Sequence, residues 1–318
     1  MDITAPRFTD ENAAREHLEG LRWPQGPFCP HCGSYSAKRL PAQRGRPTKA
    51  HPEGALRAGV IQCNDCRKQY SVTVGTVFES SKIALHKWVL ATYLLSSSKK
   101  GMSAHQLHRM LGVTYKTAWF MAHRIREAMS TDIDTPFGSG GGSVEVDETF
   151  IGRDRSKAKG ATGYEHKMKV LSLIDRATGR STSVVVENVT MATLTPILKA
   201  KIAPEATVLT DDAGQYRRMG EHFTAHNTTR HTKGNYVDPQ NPSTHTNTVE
   251  GYFSVFKRGM IGTYQHCSKG HLPRYLAEFD FRYTNRKAVG VDDATRTDIA
   301  LKGIAGKRLM YRRPDIGA

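Results

Sequence analysis

Two CxxC pairs constrain this chain more than any other feature. Cys29 and Cys32 lie in "FCPHCGS", and Cys63 and Cys66 in "IQCNDCRKQYSV". Two residues between cysteines let both thiolates reach one ion from a tight turn, and a second such turn completes a tetrahedron. Four sulfur ligands close the coordination sphere, so the zinc expected here is structural, with no position left for water. Strand-like residues follow each turn, which predicts a zinc ribbon within residues 1–80. The basic, Pro/Gly-rich spacer "AQRGRPTKAHPEGAL" is expected to be a loop between two ribbon strands. Five cysteines are an odd number for a disulfide framework. The fifth, Cys267, reads as a small packed residue without a role.

The net charge is +16, and the first 130 residues hold 19 Lys and Arg against 9 Asp and Glu. A polyanionic partner follows, nucleic acid being the commonest. Charge alone does not choose it, since ribosomal and membrane-surface proteins share such a balance. No apolar run of the length a membrane-spanning helix needs is present, so none is expected. The N-terminal stretch lacks the apolar centre of a signal peptide. A bacterial cytoplasmic protein working on the nucleoid is expected.

Residues 81–130 have the pattern of a helix-turn-helix. Ile83, Trp88, Leu90, Tyr93 and Leu94 recur at helical spacing. Ser103 is placed to cap a helix running to Leu111. Gly112 and Val113 make a turn, and Thr114 is placed to cap a second helix from Tyr115 to Met129. In such units the second helix enters the major groove of double-stranded DNA. Tyr115, Lys116, His123, Arg124 and Arg126 would be its polar positions, with Trp119 and Phe120 in the core. Residues 131–143, rich in Gly and Ser, predict a flexible linker.

The remainder predicts an α/β domain over residues 144–290, followed by a basic tail, 291–318. "VEVDETFIGRD" (144–154) alternates as a strand, with Glu145, Asp147 and Thr149 on one face and Val144 and Val146 on the other. Residues 167–189 form a hairpin turning near Asp175–Gly179. Residues 191–202 form a helix. "ATVLTDDAGQYRRM" (206–219) is a buried strand ending in two aspartates, then a helical turn. "HTNTVEGYFSVFKRG" (245–259) opens a helix at Thr246 or Asn247. This is the element order of an RNase H-like domain, a mixed sheet with flanking helices. Such a fold sets Asp147 on the central strand, Asp211 at the end of its neighbour and Glu250 on a flanking helix.

Each acid alone could be a strand end, a cap or a solvated helix residue; their joint placement carries the inference. Three converging carboxylates repel one another unless divalent cations bind them. Two Mg²⁺ or Mn²⁺ ions about 4 Å apart activate a water or a 3′-hydroxyl and stabilise the leaving oxygen of a phosphodiester. Asp211 is preferred to Asp212 because it directly follows the apolar run "VLT". Glu148, on the opposite strand face from Asp147, is the weaker candidate. Lys257 lies seven residues beyond Glu250, close to two helical turns, and so on the same face. From there it can reach a DNA phosphate beside the scissile bond. The Lys-, Arg- and Gly-rich loop 152–167 suits contact with phosphates.

These stretches together resemble the ISXO-like group of bacterial insertion-sequence transposases. The residues that carry the likeness are "CPHCGS", "CNDCRKQYSVTVGTVFESSKIALHKW", "VEVDETFIG", "LTDDAGQY" and "HTNTVEGYFSVFKRGMIGTYQH". The resemblance implies a zinc ribbon, a helical DNA-binding region and an RNase H-like domain of the DDE type. It implies Asp147, Asp211 and Glu250 as metal ligands and Lys257 as the accompanying base. Related groups vary between Asn and Glu at the third ligand, which leaves Asn247 beside Glu250. The function so implied is cleavage at the element's inverted repeats and joining of the 3′ ends to target DNA, by a homodimer or higher oligomer. The alternatives are a nuclease or resolvase that cuts without joining, and a DNA-binding regulator with an inactive catalytic domain.

Overall fold

The structure is a computed structural model describing residues 2–49, 52–54, 56–130, 135–158, 163–229 and 241–310. The chain forms two compact units. The first comprises Met1–Ser97, Ala104–Met129 and Asp293–Ala318, and the second comprises Ser98–Ser103 and Ser130–Asp292.

The first unit begins with helices α1 (Pro6–Thr9) and α2 (Glu11–Arg22). Asp10 starts α2 by accepting a hydrogen bond from the Ala13 amide at 2.8 Å, the usual capping role of an aspartate. The ribbon is a three-stranded antiparallel sheet of β1 (Ala37–Arg39), β4 (Ile61–Cys63) and β5 (Gln69–Tyr70), in the order β1-β4-β5. The spacer is more than a loop: it carries its own antiparallel pair, β2 (Gln43–Arg44) and β3 (Leu56–Arg57). Its Pro- and Gly-bearing turn folds the spacer back on itself, so the two basic arms meet as strands.

Helices α3 (Leu85–Ser97), α4 (Ala104–Leu111) and α5 (Tyr115–Met129) follow. Gly112 takes a left-handed φ of +61° at the turn. The Thr114 hydroxyl accepts from the Thr117 amide at 3.2 Å, as its capping position predicts. Residues 291–318 are not simply a tail. Helix α9 (Asp293–Lys302) returns to this unit, with Ala300, Leu301 and Ile304 buried. Its buried Arg296 pairs with Asp293 at 2.6 Å and donates to the Ser96 carbonyl at 3.2 Å. Residues 311–318 lie outside the described set.

The second unit is built on a five-stranded mixed sheet in the order β10-β9-β6-β7-β8. Its strands are β6 (Ser143–Ile151), β7 (Met168–Asp175), β8 (Ser181–Val186), β9 (Thr207–Asp211) and β10 (Ala225–Thr229). Strand alternation sends apolar side chains to both faces, so both faces must be covered. On one, Val144, Val146, Leu171, Leu173 and Val208 bury Leu194 and Leu198 of α6 (Met191–Lys201). On the other, Val170 and Ile174 meet Val249, Tyr252 and Phe256 of α7 (Asn247–Gly259) and Leu276 and Phe279 of α8 (Leu272–Thr284). This is the RNase H-like layout expected. The polar edge strand β10, "AHNTT", gave no alternating signal in the sequence.

The expected flexible linker is instead, over its described residues 135–143, part of this core. Phe137 is fully buried among the residues around α6, its amide bonded to the Lys201 carbonyl at 2.8 Å. Gly138 donates to Asp175 at 2.9 Å with φ +70°, where a Cβ would stand 2.5 Å from that of Ala206. Glycine here makes a tight turn rather than slack chain. Residues 131–134 lie outside the described set.

Candidate active site

Strands β6 and β9 run parallel and pair from Ser143↔Thr207 to Glu145↔Leu209, where the pairing ends. Continuing that register by two residues brings Asp147 level with Asp211. In-register neighbours of parallel strands point to the same side. That side is the one α7 covers, because Val144 and Val208 share the opposite core. The two aspartates therefore flank the point where the strands part. Glu250, in the first turn of α7, lies close enough to act on Asp147 electrostatically. Burial, then the charges of Glu148, Asp211 and Glu250, push the Asp147 carboxyl up from 3.8 to about 8. The charged form of a carboxylate in that setting is disfavoured and a bound cation would favour it, and its neighbours are hard oxygen ligands of the kind Mg²⁺ and Mn²⁺ prefer.

Glu148, turned to the other face, is also tied into the site. It accepts hydrogen bonds from Gln215 at 2.6 Å and from the Tyr216 hydroxyl. Burial raises its carboxyl, hydrogen bonds from Tyr216 and Gln215 oppose that, and the Asp211 charge raises it further. It thus anchors the turn that follows Asp211. Asp211 itself accepts from the Ala213 amide at 3.1 Å, whereas Asp212 is exposed. Asn247 and Lys257 are both exposed, Lys257 about 10 Å along the helix from Glu250. In the described part of loop 152–167, Arg153 and Arg155 are exposed and Arg155 meets His266 at 3.2 Å. Residues 159–162 of that loop lie outside the described set.

One functional element escaped the sequence. Thr246 stands at the N-cap of α7 but makes no capping hydrogen bond through its side chain to the first-turn amides. The cap comes from β6: fully buried Glu145 accepts from the Thr248 and Val249 amides, both at 2.9 Å. Its other oxygen pairs with Arg176 at 2.7 Å. Arg176 in turn donates to the His245 carbonyl at 2.7 Å and to that of Ser243. The available signal was an acid between two valines, Val144 and Val146, near the start of a central strand, which must find a partner when buried.

In the first unit the four cysteines come together as predicted. Their sulfurs lie within 4.8 Å of one another, with Cys29–Cys66 and Cys32–Cys63 both at 3.6 Å. Four thiolates converging from two turns fit a structural zinc. Purified protein is expected to carry about one zinc per chain, and Cys63→Ser to lose it together with much of the DNA affinity. Folded, freshly purified protein free of zinc on metal analysis would remove the ribbon's ion.

The helix-turn-helix needs a correction. His123 is 1% and Arg126 2% exposed, so neither is presented to a partner. Arg124 lies over the Phe120 ring and donates to the carbonyls of Glu79 at 3.2 Å and Leu309 at 3.3 Å. The sequence placed His123, Arg124 and Arg126 among the polar, DNA-facing positions of α5, but Ala122, Ile125, Ala128 and Met129 make that half a core helix, and His123 and Arg126 are buried with it. Of the expected contacts, Tyr115 and Lys116 are exposed, at the N-terminal end of α5 where such helices meet bases. Tyr115 stacks on His105 of α4 with ring centroids 4.3 Å apart.

An RNase H-like sheet with acids from its central strand, the adjoining parallel strand and a flanking helix, in a chain that also carries a four-cysteine ribbon, defines a class of DNA-rearranging enzymes. Comparison with known families agrees. Residues 140–284 match the ISXO2-like transposase domain, and residues 9–69 match the transposase zinc-ribbon domain. An uncharacterized protein in transposable element ISH50 of Halobacterium salinarum is 30% identical over 294 residues, covering 86% of this chain and 91% of that protein. The chain belongs to the ISXO2-like transposase family. Among the described residues, no helix is long and apolar enough to cross a membrane.

Proposed function

We propose that this chain is a DNA transposase that cleaves the inverted-repeat ends of its element and joins the 3′ ends to target DNA. The observation that carries this is electrostatic: Asp147, two residues beyond the point where β6 and β9 pair in parallel, feels the charges of Asp211 at the end of β9 and of Glu250 in the first turn of α7. Two divalent ions bound there would supply an activated water or 3′-hydroxyl and charge on the leaving oxygen. Asp147 and Asp211 hold the site from the sheet, and Glu250 closes it from the helix. Lys257, on the same exposed helix face, positions the phosphate by its charge. The ribbon and the N-terminal end of α5 bind double-stranded DNA. Each element has two ends, and among the described residues one chain offers one such proposed acid site, so a homodimer or higher oligomer acts on DNA.

The test is cleavage of a labelled duplex spanning one boundary of the chain's gene, with Mn²⁺. A nick at the repeat end that leaves a 3′-hydroxyl is expected; no cleavage by folded, zinc-loaded protein opposes the proposal. In the same assay Lys257→Ala should lower cleavage and joining without loss of metal binding. Lys257→Arg should keep part of the activity, because a positioned cation survives. A surface ion pair with Glu250 alone would alter stability by at most ~0.5 kcal/mol and leave the rate untouched. Wild-type rates in Lys257→Ala would remove that residue from the site.

A further inference from the structure

Glu145 is a costly residue to keep where it stands. It is a fully buried carboxylate on the central strand, two positions before Asp147, where an apolar residue would pack without desolvating a charge. Among the described residues, its two oxygens meet the start of α7 and Arg176, which holds the chain just upstream of that helix. One oxygen takes the second and third amides of α7, the groups a helix leaves unsatisfied at its start. The other takes Arg176 and stands 3.5 Å from the His245 ring. Arg176, from the turn after β7, also grips the backbone carbonyls of Ser243 and His245, just upstream of the helix. The strand bearing Asp147 and the helix bearing Glu250 are therefore locked in both rotation and height by one acid and one guanidinium. The first unit uses the same device: Glu11 of α2 accepts from the Leu85 amide at the start of α3, at 2.7 and 2.9 Å.

We propose that Glu145 is a positioning residue: held by Arg176, it caps α7 from the neighbouring strand and so fixes where Glu250 stands relative to Asp147. This rests on the proposed role of Glu250 as a metal ligand. The cap acts on Glu250 through the helix: the held amides, Thr248 and Val249, directly precede Glu250 in the first turn, so a shift of that turn moves the carboxylate with it. Ligand-orienting partners of this kind typically set metal affinity or activity by a factor of 10–100.

Two readouts on zinc-loaded, full-length protein test the inference. The first is amide hydrogen exchange at Thr248 and Val249; the second is the Mn²⁺ concentration giving half-maximal cleavage. Glu145→Gln should speed exchange at both amides and raise the Mn²⁺ requirement by roughly 10–100-fold. Excess Mn²⁺ should recover cleavage in Glu145→Gln and should not recover it in Glu250→Gln, which lacks the ligand. Glu145→Asp, which keeps the charge, should lie between Glu145→Gln and wild type. Arg176→Lys should show the same two changes with Glu145 in place, and it carries the test should Glu145→Gln fail to fold. Wild-type exchange together with a wild-type Mn²⁺ requirement would overturn the proposal. So would a Glu145→Gln protein as dead as Glu250→Gln at every Mn²⁺ concentration, since Glu145 would then do more than position. If Glu250→Gln cleaves like wild type, the ligand role of Glu250 fails, and the exchange rates still decide whether Glu145 caps the helix.

Discussion

Asp147→Asn, Asp211→Asn and Glu250→Gln are each expected to lower strand cleavage by at least ~100-fold while leaving binding to element ends intact. In the proposed site each change removes one negative charge from the set that would offset the bound cations, and the isosteric amides keep the packing. The largest loss is expected at Asp147, whose carboxyl already feels Glu148, Asp211 and Glu250. Asp212→Asn should be milder, since Asp212 is exposed whereas Asp211 ends β9 and acts by charge on Asp147. End binding should survive because the ribbon and the N-terminal end of α5, the proposed duplex-binding elements, belong to the other compact unit. A dead Asp212→Asn beside an active Asp211→Asn would transfer the ligand role to Asp212.

The same acids should make the metal-free protein less stable as pH rises. In the folded chain the Asp147 carboxyl titrates near 8 rather than at 3.8, because burial and neighbouring carboxylates disfavour its charged form. Between those values the folded state holds a proton that the unfolded state has released, so stability is lost as pH climbs through that window. The slope is at most about 1.4 kcal/mol per pH unit for one group, and less where neighbours share the proton. Asp147→Asn removes the dependence. Without divalent ions at pH 8 it should melt above wild type; a gain of about 2 kcal/mol would appear as roughly 4–8 °C. Mn²⁺ should then reverse the order, because the ion binds the deprotonated wild-type site and stabilises only the state that holds it. Parallel melting curves for the two proteins at every pH would contradict this electrostatic picture.

Much of this was legible in the sequence, for physical reasons that also mark its limits. The CxxC turns are local, so spacing alone predicted that four sulfurs would meet. Strand β6 alternates cleanly, which placed Asp147 on a face opposite Val144 and Val146. The cap-turn-cap pattern at Ser103, Gly112 and Thr114 gave the bounds of α4 and α5 because those signals act within one turn of chain. What failed was long-range. Helix α9 is sparse in apolar residues, and only its docking on α3 shows that Ala300 and Leu301 are core. Phe137 sits among glycines that suggest slack, yet it fills the core beside α6. His123 and Arg126 looked like a polar helix face until packing buried them. Glu145 was assigned to the correct face and given no task, because its partners at Arg176, Thr248 and Val249 lie 31 to 104 residues away.

The most direct test of a metal-held acid site that both cuts and joins begins after cutting. A labelled duplex from the gene's boundary, supplied with its 3′ end already freed, is incubated with zinc-loaded protein, Mn²⁺ and a supercoiled plasmid. Wild-type protein should transfer the labelled strand covalently into the plasmid, and Asp147→Asn should transfer none. Plasmid nicking without strand joining by the wild type, or joining that survives Asp147→Asn, would contradict the proposed function.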